Sequence, residues 1–393
     1  MPLFRLIKAN LSLLVMFFFA GCFFLSSILA KKILNDESFY QYNLLTTIFS
    51  MSFTFCFLGS EQLFLRLGKA YNSKYHISYK VIKLMLITCI LFVFVCFFCL
   101  RGTFFEEAHS FYFLFIPLFS ALFIFTYNFF RVQHQFFLAQ IINNLWKSGL
   151  LIAVIFSLVY EFYFVSNVLL TLVMLFSLFM LYVNRDSLII NDEALPKNWK
   201  QLFLGFSLSL FVLLLINNLD RLVVESYLSK NAFAGYVYLI TLLIMPFSIL
   251  SSYYGFKEVA FLKVKYKKQE FERKLVKVSL ISFSLYLVWF FIIYSLRTHI
   301  EIAVEIEFLI PCLIIVVFKS SYSLVSSLFG LKSSFREMLL VNISTLLIVF
   351  LLFSLVIKLG VSYLYLLYSM AGVWLFRFFI FYFQTRKVAE YEI

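Results

Sequence analysis

The side chains best placed to do chemistry are charged groups inside long apolar runs. Lys147 follows Asn143 and Asn144 by about one helical turn, so on a helix the three share one polar face. Lys319 is central in a second run and precedes a group of serines. A charge at the centre of a bilayer costs roughly 2.5–3.5 kcal/mol on insertion scales. We therefore expect both lysines to face a central water-filled cavity or a partner, where an ammonium group suits an anion.

Further polar side chains lie in similar runs: Asn217, Asn218, Asp220, Arg221, Glu61 and Arg377. With the two lysines included, the ionisable groups inside the runs are net positive. A net positive set of embedded groups favours an anionic cargo. We predict that the side chains that bind this cargo are Lys147, Lys319, Arg377, Asn143, Asn144, Asn217, Asn218 and Arg221.

Three of the embedded ionisable residues, Arg377, Glu61 and Asp220, each have a structural alternative to a functional role. Arg377 lies in the inner part of the last run, from which a long side chain can reach the membrane surface. Glu61 has the alternative of pairing with Arg66, and Asp220 that of pairing with the adjacent Arg221. The sequence leaves these alternatives open.

Signatures of enzymes are missing from the sequence. The glycines show no Walker spacing for a nucleotide phosphate, and no HExxH motif is present. The four histidines lie in or beside predicted loops. The six cysteines lie in apolar runs, where we expect them to be small buried hydrophobic side chains. We therefore predict no enzymatic activity, no cofactor and no metal site.

The runs that carry these charges have the length of membrane-spanning helices. Of the 393 residues, 63% are apolar and only 13% are charged. Runs of about twenty residues span a hydrocarbon core of roughly 30 Å, and backbone groups in lipid must bond within their own helix. We predict an all-α polytopic membrane protein with about twelve transmembrane helices, at 9–30, 40–64, 79–100, 111–130, 137–159, 163–184, 202–228, 234–256, 276–296, 308–330, 337–357 and 361–383.

The positions of lysine and arginine predict the orientation of the chain. If the loops alternate between the two sides, 23 basic residues fall on the side of the N-terminus, 7 fall on the other side, and 3 fall inside spans. This bias predicts that both termini and the loop at 257–275 are cytoplasmic. The basic run from Lys263 to Lys268 is interpreted as a loop on anionic lipid rather than a nucleic-acid site.

An offset of 194 residues relates the two halves of the sequence. The matching elements are Ile116-Pro117 with Ile310-Pro311, Phe39-x-x-Tyr42 with Phe233-x-x-Tyr236, Thr47 with Thr241, and Pro2 with Pro196. Six helices per half is an even number, so the halves share one orientation and are related by a pseudo-two-fold axis along the membrane normal. We predict two six-helix lobes, 1–190 and 191–393, with a cavity between them. Lys147 and Lys319 are not duplicated, since Val341 and Phe125 occupy the matching positions.

Short motifs in both halves are similar to those of one transporter family. The second half contains Asn218-Leu219-Asp220-Arg221, Ala234-Gly235-Tyr236 and Pro246. The first half contains Ala30-Lys31, Phe39-x-x-Tyr42, Gly59 and Arg66. With these motifs the chain resembles polysaccharide-biosynthesis flippases of the Wzx (O-antigen translocase) type, in the multidrug/oligosaccharidyl-lipid/polysaccharide exporter superfamily. Tyr40 and Phe261-Leu262 depart from the family, which usually has Gly at the first position and often Pro at the second.

This resemblance implies a two-lobed carrier of a lipid-linked sugar. Its cargo would be an undecaprenyl-diphosphate-linked oligosaccharide, an O-antigen (lipopolysaccharide) or capsule repeat unit. The carrier would move it from the cytoplasmic to the periplasmic leaflet of the bacterial inner membrane, by alternating access with a cationic central cavity. H+ or Na+ coupling would involve Asp220 or Glu61. The expected partners are this cargo, membrane lipids and other polysaccharide-assembly proteins, and no nucleic acid.

Other functions are weighed against this one. A multidrug cation antiporter of the same fold would place acids in its cavity, whereas bases predominate in these spans. A membrane glycan polymerase or acyltransferase requires a sizeable external loop or a catalytic His/Asp set, and the sequence contains neither. A non-transporting scaffold of an assembly complex is a further alternative that the sequence leaves open.

Overall fold

The computed structural model shows a helical chain rich in membrane-length helices. It describes residues 2–71, 74–133, 135–192, 195, 197, 199–248, 251, 254–255, 258, 262 and 265–392. Within these residues, ten helices are long and apolar enough to cross a bilayer. Many of their apolar side chains lie on the outside of the protein, for example Ile90 and Leu347. The chain is therefore a multi-pass, all-α membrane protein, as predicted.

The chain divides into two compact units, Met1–Leu214 and Leu215–Ile393, with the division inside one helix. The predicted lobes 1–190 and 191–393, and the axis that relates them, stay predictions. The elements of the first unit are α1 (Pro2–Ile33), α2 (Asp36–Phe55), α3 (Ser60–Leu67), β1 (Lys69–Tyr71), β2 (Lys74–Ser78), α4 (Tyr79–Thr103), α5 (Ser110–Val132), α6 (Phe136–Phe156), α7 (Phe162–Val183), β3 (Leu188–Asn191) and most of α8 (Trp199–Tyr227).

The second unit begins in the last part of α8. Its further elements are α9 (Lys230–Leu243), β4 (Lys265–Tyr266), α10 (Lys268–Leu296), α11 (Leu309–Lys332), α12 (Phe335–Leu359), α13 (Tyr363–Thr385) and β5 (Tyr391–Glu392). Residues 245–248 and the described residues among 251–262 are also helical. Within the units, α1 packs along α6, and α11 packs along α13.

The predicted second span, 40–64, is interrupted between α2 and α3. Leu58 and Gly59 have positive φ angles of 49° and 90°, and the chain turns there. A Cβ atom at Gly59 would lie 2.8 Å from the backbone nitrogen of Ser207 and 2.9 Å from the carbonyl carbon of Phe206. Glycine therefore satisfies both the left-handed backbone and the close approach of α8. Because the chain turns at Leu58, the carbonyl of this residue lies outside the helix. The hydroxyl of Ser207 donates a hydrogen bond to it.

The predicted eighth span, 234–256, is interrupted at Ile244. Pro246 has no amide hydrogen, so the carbonyl of Leu242 loses its usual helical donor. The indole Nε1 of Trp289 on α10 donates a 2.9 Å hydrogen bond to this carbonyl. A side chain from a neighbouring helix thus satisfies the backbone at the break. These two breaks explain why ten rather than twelve continuous helices have membrane length in the part of the chain that the structure describes.

The helices that begin these two interrupted spans start in the same way. Asn35 caps α2 by accepting a 2.8 Å hydrogen bond from the amide of Ser38. Ser229, 194 residues after Asn35, caps α9 by accepting a 3.2 Å hydrogen bond from the amide of Ala232. Small polar residues at this position satisfy a free amide of the first turn. The start of each helix is thus encoded locally.

Two small sheets accompany the helices and were not predicted. In the first unit, β2 pairs antiparallel with β1 and parallel with β3. In the second unit, β4 pairs antiparallel with β5. In each unit the sheet links a segment just before a long helix, α4 or α10, with the segment that follows the helix α7 or α13.

Candidate cargo-binding site

Lys147 has a polar neighbour on its own helix, α6. Its Nζ donates a 2.6 Å hydrogen bond to Oδ1 of Asn144. The amide nitrogen of Asn144 in turn donates to the backbone oxygen and the side-chain Oε1 of Gln140, at 2.8 and 3.0 Å. Gln140, Asn144 and Lys147 thus form a continuous polar row along α6. Among the described residues, no carboxylate lies within ion-pair distance of the Lys147 ammonium.

An aromatic stack lies beside this row, and the Lys147 ammonium is 5.8 Å from the ring centroid of its central residue, Trp146. Trp146 is buried, and its indole Nε1 donates a 3.1 Å hydrogen bond to the carbonyl of Asn143. Its ring stacks on Phe49 and Phe53 of α2, at centroid distances of 4.6 and 5.7 Å. The stack restricts rotation of α6, so Lys147 is held at a defined position. Asn143 contributes its backbone to this arrangement, and Asn144 rather than Asn143 bonds the lysine.

In the second unit, Lys319 is bonded to a distant part of the chain. Its Nζ donates a 3.0 Å hydrogen bond to Oδ1 of Asn217 on α8. The same nitrogen lies 5.0 Å from the ring centroid of Trp374 on α13, within cation–π range. Asp220 and Arg221, of opposite charge, follow Asn217 by three and four residues on α8. Three helices, α8, α11 and α13, therefore position this ammonium group.

Arg377 is buried inside the second unit rather than extended to the membrane surface. Only 1% of the residue is exposed. Its Nη2 donates a 2.9 Å hydrogen bond to the hydroxyl of Tyr322, and its guanidinium lies 5.0 and 4.9 Å from the rings of Tyr322 and Phe381. Within the described part of the chain, its Nε and Nη1 have no hydrogen-bond partner, and nor does Nε1 of the buried Trp374.

Arg377 and Lys319 are connected through aromatic rings. Tyr322 and Trp374 pack edge to face with centroids 5.5 Å apart. Lys319 and Tyr322 are three residues apart on α11, as are Trp374 and Arg377 on α13. Residues three apart project from the same side of a helix. The two cations and two aromatic rings therefore form a compact group, which we call the α11–α13 cation cluster.

Asp220 is held by a tyrosine. The hydroxyl of Tyr236 on α9 donates a 2.8 Å hydrogen bond to Oδ2 of Asp220. Asp220 as a whole is 2% exposed, and its Oδ1 has no hydrogen-bond partner among the residues described. Arg221 and Asn218 are buried next to it in sequence. The predicted residues Asn217, Asp220 and Lys319 are thus brought together in one unit.

Glu61 lies apart from this group, on α3 of the first unit. Its Oε1 accepts a 3.4 Å hydrogen bond from Nε2 of the neighbouring Gln62. Its Oε2 is buried and has no hydrogen-bond partner in the described ranges. The side chain of Arg66, its alternative ion-pair partner, lies outside the described residues. The predicted role of Glu61 in ion coupling stays a prediction.

No family model, curated protein or solved structure matches this chain. The roles predicted from the sequence for Lys147, Lys319, Arg377 and their amide neighbours stay predictions.

Sequence reasoning did not single out Tyr322 and Trp374. Both residues had a detectable signal, because each lies three residues from a predicted cation on the same helix. Aromatic side chains at that spacing are common in helices, so the spacing alone does not distinguish a cation partner from an ordinary core residue.

Proposed function

We propose that the protein moves an anionic, lipid-linked oligosaccharide across the membrane. The cargo is an undecaprenyl-diphosphate-linked repeat unit, which passes from the cytoplasmic to the periplasmic leaflet of a bacterial inner membrane by alternating access. The lipid tail stays in the bilayer while the charged, sugar-bearing head crosses. The proposal joins the resemblance of the sequence motifs to the positive charge of the embedded residues.

The observation that carries the proposal is the α11–α13 cation cluster. A buried charge without a partner is expensive in a low-dielectric interior. Arg377 nonetheless keeps two guanidinium nitrogens without hydrogen-bond partners among the described residues. A planar guanidinium binds phosphate oxygens through two parallel hydrogen bonds. In this proposal, a diphosphate supplies hydrogen-bond acceptors to Arg377 and Lys319.

The direction of transport agrees with this charge. A diphosphate carries negative charge. A membrane potential that is negative inside therefore favours its outward movement, by about 2.3 kcal/mol per charge per 100 mV. An ATP-binding motif is absent from the sequence, so the membrane potential or a coupled ion is the energy source in this proposal. Asp220 and Glu61 are the candidate residues for H+ or Na+.

Reconstitution tests the proposal directly. The purified protein is placed in vesicles with a fluorescent undecaprenyl-diphosphate oligosaccharide, and an impermeant quencher of the sugar label measures which leaflet holds the head. We expect the protected fraction to fall faster with the protein than in protein-free vesicles, and Arg377→Gln to remove this gain. The control is Arg273→Gln, an exposed arginine at the start of α10. Equal rates with and without the protein would reject the proposal.

The same preparation separates the alternatives. An antiporter of cationic drugs would instead release a preloaded cationic dye when a proton gradient is applied. A glycan polymerase would lengthen the labelled oligosaccharide, and the longer product would be seen by mass spectrometry. The excess of bases among the embedded groups favours the anion carrier over the first alternative.

A further inference from the structure

Residues 386–392, which follow α13, lie against the chain segment that leads into α10. In the antiparallel pairing of β4 and β5, Tyr391 is opposite Tyr266, and Glu392 is opposite Lys265. The ammonium of Lys265 lies 3.1 Å from a carboxylate oxygen of Glu392. The hydrogen bond to Glu392 raises the pKa of Lys265.

Two further polar contacts flank this pair of strands. The backbone amide of Lys268, in the first turn of α10, donates a 3.1 Å hydrogen bond to Oε1 of Glu390. Arg386, just after α13, lies 3.7 Å from the carboxylate of Glu272 on α10. Glu390 and Glu392 thus contact an amide and a lysine at or just before the start of α10. At Arg386 the signs are exchanged, since the base follows α13 and the acid, Glu272, lies on α10.

Tyr391 is the centre of the contact. Its hydroxyl donates a hydrogen bond to the carbonyl of Leu262. The ammonium of Lys332, at the end of α11, lies 3.7 Å from the centroid of its ring. Its ring also packs on that of the buried Tyr266, at 5.8 Å. One side chain therefore connects the approach to α10, the end of α11 and the segment after α13.

The first unit contains a related connection with different pairing. There β3, after α7, pairs with four residues of β2, just before α4. Tyr75 of β2 donates a hydrogen bond to the carbonyl of Phe64 in α3. Nε2 of Gln133 also donates a 2.8 Å hydrogen bond to the hydroxyl of Ser187. Among the described residues, the connection in the second unit has two paired residues per strand, against four between β2 and β3, so this part of it is the weaker of the two.

The contacts of residues 386–392 are of kinds that open easily. The carboxylate side of the Lys265–Glu392 pair is 69% exposed, and the Arg386–Glu272 pair is exposed by 51% and 37%. Exposed ion pairs are weak and are screened by salt. The two residue pairs that the structure describes in this ladder add little cooperativity, so the buried ring of Tyr266 and the ring of Tyr391 supply the specificity.

We propose that residues 386–392 form a reversible latch. When it is closed, it fastens the adjoining ends of α10, α11 and α13 so that they move as one body. When it is open, it frees these ends and releases Lys265 from Glu392. The latch is independent of the cargo, so it stands or falls separately from the proposed transport.

Hydrogen–deuterium exchange of the full-length protein in detergent micelles tests the latch. The measured quantity is the exchange rate of peptides that cover 265–268 and 388–392. Raising the salt from about 0.1 M to about 1 M shortens the Debye length from about 10 Å to about 3 Å. We expect exchange in both peptides to rise several-fold, while peptides from the middle of α11 stay unchanged.

Charge-reversal variants provide the matched comparison. Glu392→Lys and Lys265→Glu should each raise exchange at low salt, and the double variant should return toward the wild-type rate. Glu270→Lys changes the same region without touching residues 386–392, since Glu270 pairs with Lys267, and should leave the second peptide unchanged. Tyr391→Ala should have the largest effect. Exchange that is indifferent to salt, to Tyr391→Ala and to both reversals would overturn the proposal.

Discussion

The hydroxyl of Tyr236 donates a 2.8 Å hydrogen bond to Oδ2 of Asp220. The positions 194 residues earlier are Tyr42 and Ser26, whose hydroxyl oxygens are 2.7 Å apart. In each unit, a tyrosine in the second turn of one helix thus bonds the same position of the long helix before it. The first unit places a neutral serine there, and the second places a carboxyl group. The shared contact holds two helices together, and the acid is the added feature.

Loss of the Tyr236 hydroxyl should destabilise the protein more than loss of the Tyr42 hydroxyl. Tyr236→Phe leaves a buried acceptor of Asp220 without its donor, which costs about 1–3 kcal/mol or more for a charged group. Tyr42→Phe is milder because Ser26 and Ser27 still donate to the carbonyl of Phe23. The midpoint of thermal unfolding in micelles measures the loss of stability in both variants. Equal losses would show that the carboxyl has another way to be satisfied.

Arg377→Met should separate transport from stability. Methionine fills a similar volume without a buried charge, and replacing buried charged groups by well-packed apolar residues is often neutral or stabilising. We expect an unchanged or higher unfolding midpoint together with loss of cargo movement. A fall of the midpoint comparable to that of a core truncation would show that Arg377 supports the fold instead.

The sign of the charge should matter at Lys147 and Lys319. Alanine at either position should impair export at normal protein levels, while arginine should be tolerated better than glutamate because the cargo is anionic. Export of the lipid-linked sugar in cells, normalised to the amount of protein in the membrane, is the measurement. Wild-type export by both glutamate variants would refute an anion-binding role for these lysines.

Trp289→Phe should destabilise the second unit through the carbonyl of Leu242. Phenylalanine keeps most of the ring but has no donor, so a buried carbonyl is left unsatisfied at about 1–3 kcal/mol. Pro246→Ala supplies an amide hydrogen near the same carbonyl, so the loss from Trp289→Phe should be smaller in that background. Thermal unfolding of the four proteins forms a double-mutant cycle. Additive losses would mean that the two residues do not share this carbonyl.

Both termini should be cytoplasmic. A single cysteine at position 389 tests the C-terminal side, because Ala389 is exposed and lies just before the paired residues of β5. In a background without the native cysteines, a membrane-impermeant maleimide should label it only after the cells are opened. Labelling of position 389 in intact cells would place the C-terminal side outside the cytoplasm and contradict the predicted topology.

The sequence alone determined where most helices form and which polar groups they carry. A run of about twenty apolar residues has no alternative to a helix in lipid, because each backbone group must bond within its own segment. The caps at Asn35 and Ser229, which the structure shows, also depend only on residues within one helical turn. The embedded positions of Lys147, Lys319 and Arg377 followed from these runs.

The tertiary structure decided how the helices are interrupted and which groups meet. The turn at Gly59 depends on the close approach of Ser207, and the break before Pro246 depends on the Trp289 indole. Pro246 is visible in the sequence, but the sequence does not show that the Trp289 indole bonds the carbonyl of Leu242. Likewise, Lys319 bonds Asn217 from 102 positions away, and Arg377 is covered by Tyr322. Periodicity gives the face on which a side chain lies, whereas its partner depends on how each helix is rotated and packed against helices distant in sequence.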